Sequence, residues 1–473
     1  MLKKGEASIA LGPFSKTLQP LIDEVVAGAG KDKFRKGTIL IPSVLIWFVL
    51  AMTLRRDLSY PKVLNWLVSG LRWLDLKLPA KLVEDGTITH ARTKLGFEIF
   101  RLLFARSVDS LKTLKADFHG LVTVMFDGSS LTMPDSQSNQ AQFGKPKSGR
   151  GQAAFPQMRI MALMVRATRI ITDIAFAPFQ GKGTGERSLM MEILQRVKGT
   201  NLLFLFDAGF YSFFLIYALQ QQGHHFLMKI SSSVHLFPVK GGLLPDGSYL
   251  ALIKGKIEDP LLSTSACKRY KQIQILVRVI RFQIPGFQPV RLITSILDEN
   301  ITAKELACHY HKRWDIELGY DEIKTHQCAT LRGQSPTILR SKRSDLVKQE
   351  LYAMLIVYNQ TRFLMYQAAM HHGEDPLEIS FLDTSQWIID AVVEVNRVPK
   401  AGSKAMIDYL LQLIAESLID RPRRPRVNPR VVKIKMSKFS LKKSKHKSQS
   451  RDLERQITVI PPADPQEEFK ETA

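Results

Sequence analysis

Four residues within 309–324, HYHKRWDIELGYDEIK, have types and spacing that could do chemistry together. At about 100° per residue of α-helix, Tyr310, Arg313, Glu317 and Lys324 fall within roughly 40° of one line. One carboxylate then lies between two cations and a phenol on a single helical face. Such a face can be a salt-bridged surface and nothing more, with Arg313 and Glu317 paired at i, i+4. It becomes a site if other carboxylates reach it. Two apolar runs end in aspartate, VTVMFD at Asp127 and NLLFLFD at Asp207. Runs of this kind are expected of strands buried on both faces, and open α/β sheets form their sites at the carboxyl ends of strands. If the two strands are neighbours, Asp127, Asp207 and a helical carboxylate make an oxygen cage suited to Mg2+ or Mn2+. Two such ions about 4 Å apart activate a nucleophile and stabilise the leaving oxygen during attack on a phosphodiester. Glu317 is the natural third member; Asp321, about 40° away on the same face, is its rival. Asp315 and Glu322 point to the far side. Arg313 and Lys324 suit nucleic-acid phosphates, and Tyr310 can donate to a phosphate or stack on a base.

The elements that must position these groups follow from the pattern of the whole chain. At 473 residues, several domains are expected. A net charge of +23 calls for a polyanionic partner, nucleic acid ahead of anionic membrane. The longest apolar run, residues 39–54, contains Pro42 and falls short of the ~20 residues needed to span a bilayer. It reads as a buried helix starting near Pro42, and no membrane partner is expected. Three cysteines do not make a disulfide framework, which fits a reducing cytoplasm. Cys308, His309 and His311 would lie about 22 Å along one helix from His326 and Cys328, too far to share zinc. There is no GxxxxGK[ST] and no serine-hydrolase elbow.

Residues 1–115 read as helical, with helices over 42–54, 60–71 and 89–114 and with Thr87 and Thr89 as cap positions. From residue 121 the order is strand, strand, strand, helix, strand, helix, strand, a mixed α/β domain. Strands 158–167 and 170–179 meet in a tight turn at Thr168 and Arg169. The loop 144–152 offers Lys145, Lys147 and Arg150 to phosphates. Residues 231–296 read as a β-rich insertion, and the helix of the opening motif starts near Thr302. The expected domains are therefore 1–115, helical and DNA-binding; 116–371, the α/β core with its insertion; and 372–420, helical. A basic, flexible tail completes the chain at 421–473. Its portion 421–447 holds twelve Lys and Arg and no acid.

The spacing of Tyr310, Arg313, Glu317 and Lys324 matches the YREK signature, and the chain resembles bacterial DDE transposases of the insertion-sequence-four type. VMFDGSSLTMPDSQSNQAQFG looks like that family's first-aspartate region and LFLFDAGFYS like its second. Residues 34–67, with ITHARTKLG, resemble its N-terminal domain, and NPRVVKIKMSKF its C-terminal ending. The resemblance implies a ribonuclease-H-like core with a β insertion. It also implies Mg2+-dependent cleavage at terminal inverted repeats and strand transfer into new DNA. By motif match, Asp127, Asp207 and Glu317 bind two Mg2+ ions, for which Mn2+ can substitute, while Tyr310, Arg313 and Lys324 handle the DNA end. The implied working form is a homodimer pairing two element ends, associated with the nucleoid of a prokaryotic cytoplasm. A DNA-binding protein derived from such an enzyme but without catalysis is the alternative. Two departures stand out: Ala208 follows the second aspartate where a basic residue is common, and 289–298 lacks the tryptophan that some members stack on a flipped base.

Overall fold

The computed structural model describes residues 11–32, 40–73, 83–111, 115–148, 151–197, 199, 201–258, 270–285, 287–327, 337–397, 400–419, 426–427 and 451–462. Arg150, Cys267, Cys328 and nearly all of the basic tail 421–447 lie outside them. Helices α1 (Gly12–Gly28), α2 (Pro42–Leu54), α3 (Tyr60–Trp73), α4 (Asp85–Leu95) and α5 (Glu98–Leu111) come first. Strand β1 (Val122–Thr132), α6 (Gln137–Phe143), β2 (Lys147–Ser148), β3 (Gly151–Gln152), β4 (Gln157–Val165), β5 (Ile171–Pro178) and α7 (Glu186–Leu194) follow. Next are β6 (Leu202–Phe206), α8 (Phe213–Gln221), β7 (His225–Ile230), β8 (Phe237–Leu243), β9 (Tyr249–Glu258), β10 (Tyr270–Gln283) and β11 (Val290–Thr294). The chain continues through α9 (Ala303–His311), α10 (Asp315–Asp321), α11 (Ser344–His372), α12 (Phe381–Arg397) and α13 (Lys400–Glu416) to a short strand, β12 (Thr458–Val459). No described helix is long and apolar enough to cross a membrane.

Two compact units divide the chain. The first comprises residues 1–115, 127–197 and 315–420. In it α2 is apolar all round and buried from Val44 to Leu54, with Pro42 opening its first turn, where a missing N–H costs nothing. It packs on α11, the longest helix, which ends at Gly373 in the left-handed conformation (φ +77°). Two buried amides on α11 are satisfied by backbone. Gln349 donates to the carbonyls of Arg92 and Gly96, and Asn359 both accepts from and donates to Ile171 of β5. Strand β5 lies antiparallel beside β4, and β4 beside β1.

The second unit comprises 116–126, 198–314 and 421–473. Its strands run β1-β6-β7-β11-β10-β9-β8, with β12 paired to β10. The pairs β1/β6 and β6/β7 are parallel, and all five residues of β6 are buried, as a strand covered on both faces requires. From β11 onward the pairs are antiparallel, so the β-rich insertion continues the sheet. The antiparallel β4/β5 and parallel β1/β6/β7 runs are those of the expected ribonuclease-H-like mixed fold. The boundary between units cuts β1 between Phe126 and Asp127, and the motif between Trp314 and Asp315.

Three expectations are corrected. The helix expected over 89–114 is two, because Gly96 adopts φ +78° after α4; α4 begins at Asp85 with Glu84 as its cap, so Thr87 and Thr89 lie inside it. The first apolar run does not end at Asp127: β1 continues through GSSLT, whose polar residues stay extended by pairing rather than by pattern. The helix from Thr302 is not one continuous α-helix. A 3-10 turn (Lys312–Trp314) precedes α10, and a π turn (Glu322–Gln327) follows it. The first overwinds and the second underwinds the chain, so the single 100° stripe is only approximate. The turn expected at Thr168 and Arg169 is present, with Arg169 at φ +55°.

In the second unit, Gly255 of β9 faces the ring of Phe213, which opens the helix following Asp207. A Cβ at 255 would lie 2.3–2.6 Å from ring carbons. Gly255→Ala is expected to cost about 1–3 kcal/mol, read as a fall in the urea midpoint; an unchanged midpoint would show that Phe213 can swing aside.

Candidate active site

Asp127 and its neighbours belong to the first unit. The Asp127 carboxylate accepts from the N–H of Gly128 at 2.9 Å, and its backbone carbonyl accepts from the Tyr320 hydroxyl at 2.7 Å. Along a strand alternate side chains share a face, so Asp127 and Ser129 lie together and Gly128 opposes them. A Cβ at 128 would lie 2.6–2.8 Å from the side chain of Glu186, in the first turn of α7, which would have to move aside. Ser129 accepts a hydrogen bond from the Lys324 ammonium, which sits 5.8 Å from the centre of the Tyr320 ring. Burial first, and then the charges of Asp127 and Glu186, push the Tyr320 phenol well above its ordinary range, so it stays a donor. Glu317 is exposed in the first turn of α10.

Asp207 belongs to the second unit. It leaves β6 exposed and caps the 3-10 turn Ala208–Phe210, its carboxylate accepting from the Ala208 N–H at 2.8 Å. Tyr310 donates to the carbonyl of Phe206, the residue before it, at 3.2 Å. Burial raises the Tyr310 phenol, Arg313 opposes the shift, and the Asp207 charge adds to it. Arg313 is hydrogen-bonded to Tyr310, and its guanidinium lies 4.9 Å from the ring centre of the exposed Trp314. Its Nε is buried with no hydrogen-bond partner among the described residues, a donor suited to an incoming phosphate. The helix that carries Tyr310 starts at a capping box, Thr302 with Glu305, and the Ala303 N–H donates to Asp246, itself ion-paired with buried Arg278.

The motif's remaining carboxylates have other work. Glu322 is buried under three donors: Arg169 at 2.9 Å, Arg362 through both Nε (2.9 Å) and Nη2, and the Tyr358 hydroxyl at 3.1 Å. Burial alone would raise its pKa, but the charges of Arg362 and Arg169 and these hydrogen bonds outweigh it and hold the carboxyl below its usual range. Asp315 pairs with Arg166 at 3.3 Å and Arg169 at 3.7 Å. Asp321 accepts from Thr325 at 2.6 Å and faces His326 at 3.8 Å. Of the other acids, Asp135 pairs with Lys145, which occupies one of the three expected loop cations, Asp173 pairs with Arg196, and Asp298 closes a turn onto Asn300.

Sequence reasoning passed over Ser129, Glu186 and Tyr320. The parity of Ser129 with Asp127 was available in the sequence; nothing there pointed to Glu186. Among the described residues no three His, Cys, Asp or Glu side chains are gathered closely enough to hold a metal ion. In chemistry, the expected donors Asp127, Asp207 and Glu317 are oxygen-only and fit a hard divalent ion.

A mixed α/β fold with a helical N-terminal region, with one aspartate within β1 and another just past the parallel strand β6, is what a DDE enzyme is expected to show. The family model "Transposase DDE domain" matches residues 119–360, and "Insertion element 4 transposase N-terminal" matches 9–105. The chain belongs to the DDE transposases, enzymes that cleave and transfer DNA strands and depend on divalent metal. It is 26% identical over 441 residues to "Transposase InsG for insertion sequence element IS4" of Escherichia coli (strain K12), covering 90% of this chain and 93% of that one. It is 29% identical over 153 residues to "Putative transposase InsZ" of the same organism, 31% of this chain and 50% of the other. A piggyBac transposase synaptic complex with hairpin DNA overlays 88% of this chain and 86% of its own at TM-score 0.42 and 10% identity, too distant to carry an argument.

Removing a buried partner while leaving the opposite charge behind costs about 3–5 kcal/mol. Glu322→Ala is expected to lose stability on that scale in chemical denaturation. A second check is acid. Burial and then the Arg313 charge lower His311 to about 4, so the fold holds it neutral. The unfolded chain takes the proton first, and stability drains as pH falls from about 6.5 towards 4. A His311→Gln variant should lack that part of the slope; an unchanged slope would place it elsewhere.

Proposed function

We propose that Asp127, Asp207 and Glu317 are the catalytic carboxylates with which this DNA transposase cuts at the terminal inverted repeats of an insertion sequence and joins those ends to target DNA. The observation that supports this most is the register of β1 and β6. Met125 pairs in parallel with Leu205, and the same step of two residues leads from each to an aspartate. Neighbouring strands lie about 4.8 Å apart, a spacing that suits carboxylates sharing an ion pair. Divalent ions held there, two Mg2+ with Mn2+ as substitute, would activate the attacking oxygen and stabilise the leaving one. The protein's own groups do the rest. Arg313, with an unpartnered buried N–H, takes a phosphate of the element end; Lys324, lodged by Ser129 and Tyr320, takes another; Tyr310 donates beside Asp207. Glu317 is favoured over Asp321 because it, and not Asp321, stands at the signature's spacing from Arg313 and Lys324.

Residues 1–115 serve as the DNA-binding domain, the core spans 116–371 with 231–296 inserted, 372–420 adds helices, and the tail 421–473 contributes sequence-independent affinity. The working form is a homodimer that brings two element ends together on nucleoid DNA.

On supercoiled plasmid carrying the element ends, the protein with Mg2+ should nick at the ends, and a chelator should stop it. Asp127→Ala, Asp207→Ala and Glu317→Ala should each abolish cleavage while gel-shift affinity for the ends holds within about twofold. Asp321→Ala should still cut. Cleavage by Glu317→Ala together with loss in Asp321→Ala would transfer the third role to Asp321.

A further inference from the structure

Tyr320 lies outside the signature, three residues past Glu317, yet it touches both ends of the first unit's share of the site. Its hydroxyl donates to the Asp127 carbonyl at 2.7 Å, and its ring lies 5.8 Å beneath the Lys324 ammonium. That ammonium is bonded in turn to Ser129, two residues beyond Asp127 on the same strand face. The side chain is 6% exposed, and Gly319 beside it lets α10 approach closely: a Cβ there would lie 2.3 Å from Met164 and 3.2 Å from the Tyr358 hydroxyl. The second unit repeats the pattern. Tyr310 donates to the carbonyl preceding Asp207 and is hydrogen-bonded to Arg313.

We propose that Tyr320 is a positioning residue of the reaction, a clamp that holds the backbone of Asp127 and the ammonium of Lys324 in one register. This rests on the reading of Asp127 as a metal-binding carboxylate and of Lys324 as a contact to the DNA end. The polar half of β1 begins at Asp127. A fully buried donor on its carbonyl limits rotation of the peptide and therefore of the carboxylate it carries. The same ring limits where Lys324 can go, so a shift at the ion site and a shift at the phosphate site are coupled.

Tyr320→Phe removes the hydroxyl and leaves the ring. The test is a calorimetric titration of Mg2+ into the complex of the full chain with a pre-cleaved end duplex, which offers no bond to cut. Half-saturation should move to about fivefold higher Mg2+, the worth of one net hydrogen bond, with duplex affinity within about twofold of wild type. Half-saturation does not depend on the folded fraction, so partial misfolding does not mask the result. Tyr320→Leu also removes the ring under Lys324 and should in addition weaken the duplex about threefold. Wild-type Mg2+ affinity in Tyr320→Phe, with Asp127→Ala inactive, overturns the clamp alone. Cleavage and Mg2+ binding retained by Asp127→Ala overturn the reading on which it rests.

Discussion

The Glu322 carboxylate is the constraint around which the first unit's part of the site is arranged. It ties three elements together: the turn between β4 and β5 through Arg169, helix α11 through Tyr358 and Arg362, and the π turn that follows α10. Burying a carboxylate and two guanidiniums is expensive, and apolar residues of equal volume would often serve stability as well. What such a cluster supplies is position. Two guanidiniums and a phenol accept one carboxylate in one orientation, and the helix is thereby fixed in rotation as well as in depth. Glu317 and Lys324 lie on either side of that anchor, and the left-handed backbone at Arg169 belongs to the same arrangement.

Strand β1 supplies the second constraint, and it does so by changing character midway. Val124, Met125 and Phe126 are buried, with Phe126 stacked among Phe204 and Phe206. Asp127 through Ser130 are half-exposed. The first half is held by the hydrophobic effect and by parallel pairing to β6. In the second half, local contacts take over: a Gly128 that leaves room for Glu186, a Ser129 that receives Lys324. An aspartate at the junction has a rigid strand on one side and an open face on the other, which is what a carboxylate that must present its oxygens requires.

Those two constraints also explain what could be read in the sequence. The alternation of apolar runs and helical patterns was enough for a mixed α/β fold with a helical N-terminal region and a β-rich insertion. The strand registers themselves were not legible, because they depend on pairing partners far away. Asp127 looked like a strand end because GSSLT carries no strand signal of its own; only its neighbours keep it extended. The break at Gly96 was missed because one glycine inside an amphipathic pattern is usually tolerated. The 3-10 and π turns flanking α10 were invisible for a deeper reason. Nothing in KRW or EIKTHQ asks for them; tertiary partners, Glu322 with its arginines above all, decide the winding. Asp315 and Glu322 were rightly set on another face from Glu317, but their role as anchors, Asp315 half-buried and Glu322 buried, needed Arg166, Arg169 and Arg362, which lie more than a hundred or some forty residues away.

The same small device occurs once in each unit. A tyrosine buried on a helix donates to a strand carbonyl at or beside an aspartate, and a cation three or four residues further on the helix stays close to the ring or the hydroxyl: Tyr310 with Arg313 near Asp207, Tyr320 with Lys324 near Asp127. Burial keeps both phenols protonated, so both can donate and neither competes with the aspartates as an anion. The arrangement answers a difficulty inherent in gathering carboxylates. Placing them near one another raises mutual repulsion, and a backbone free to rotate would relieve it by turning them apart. Locking the carbonyl next to each aspartate removes that escape, and a nearby cation lowers the repulsion. Only Tyr310 and Arg313 of the first pair and Lys324 of the second belong to the signature. Tyr320 does the equivalent work from outside it.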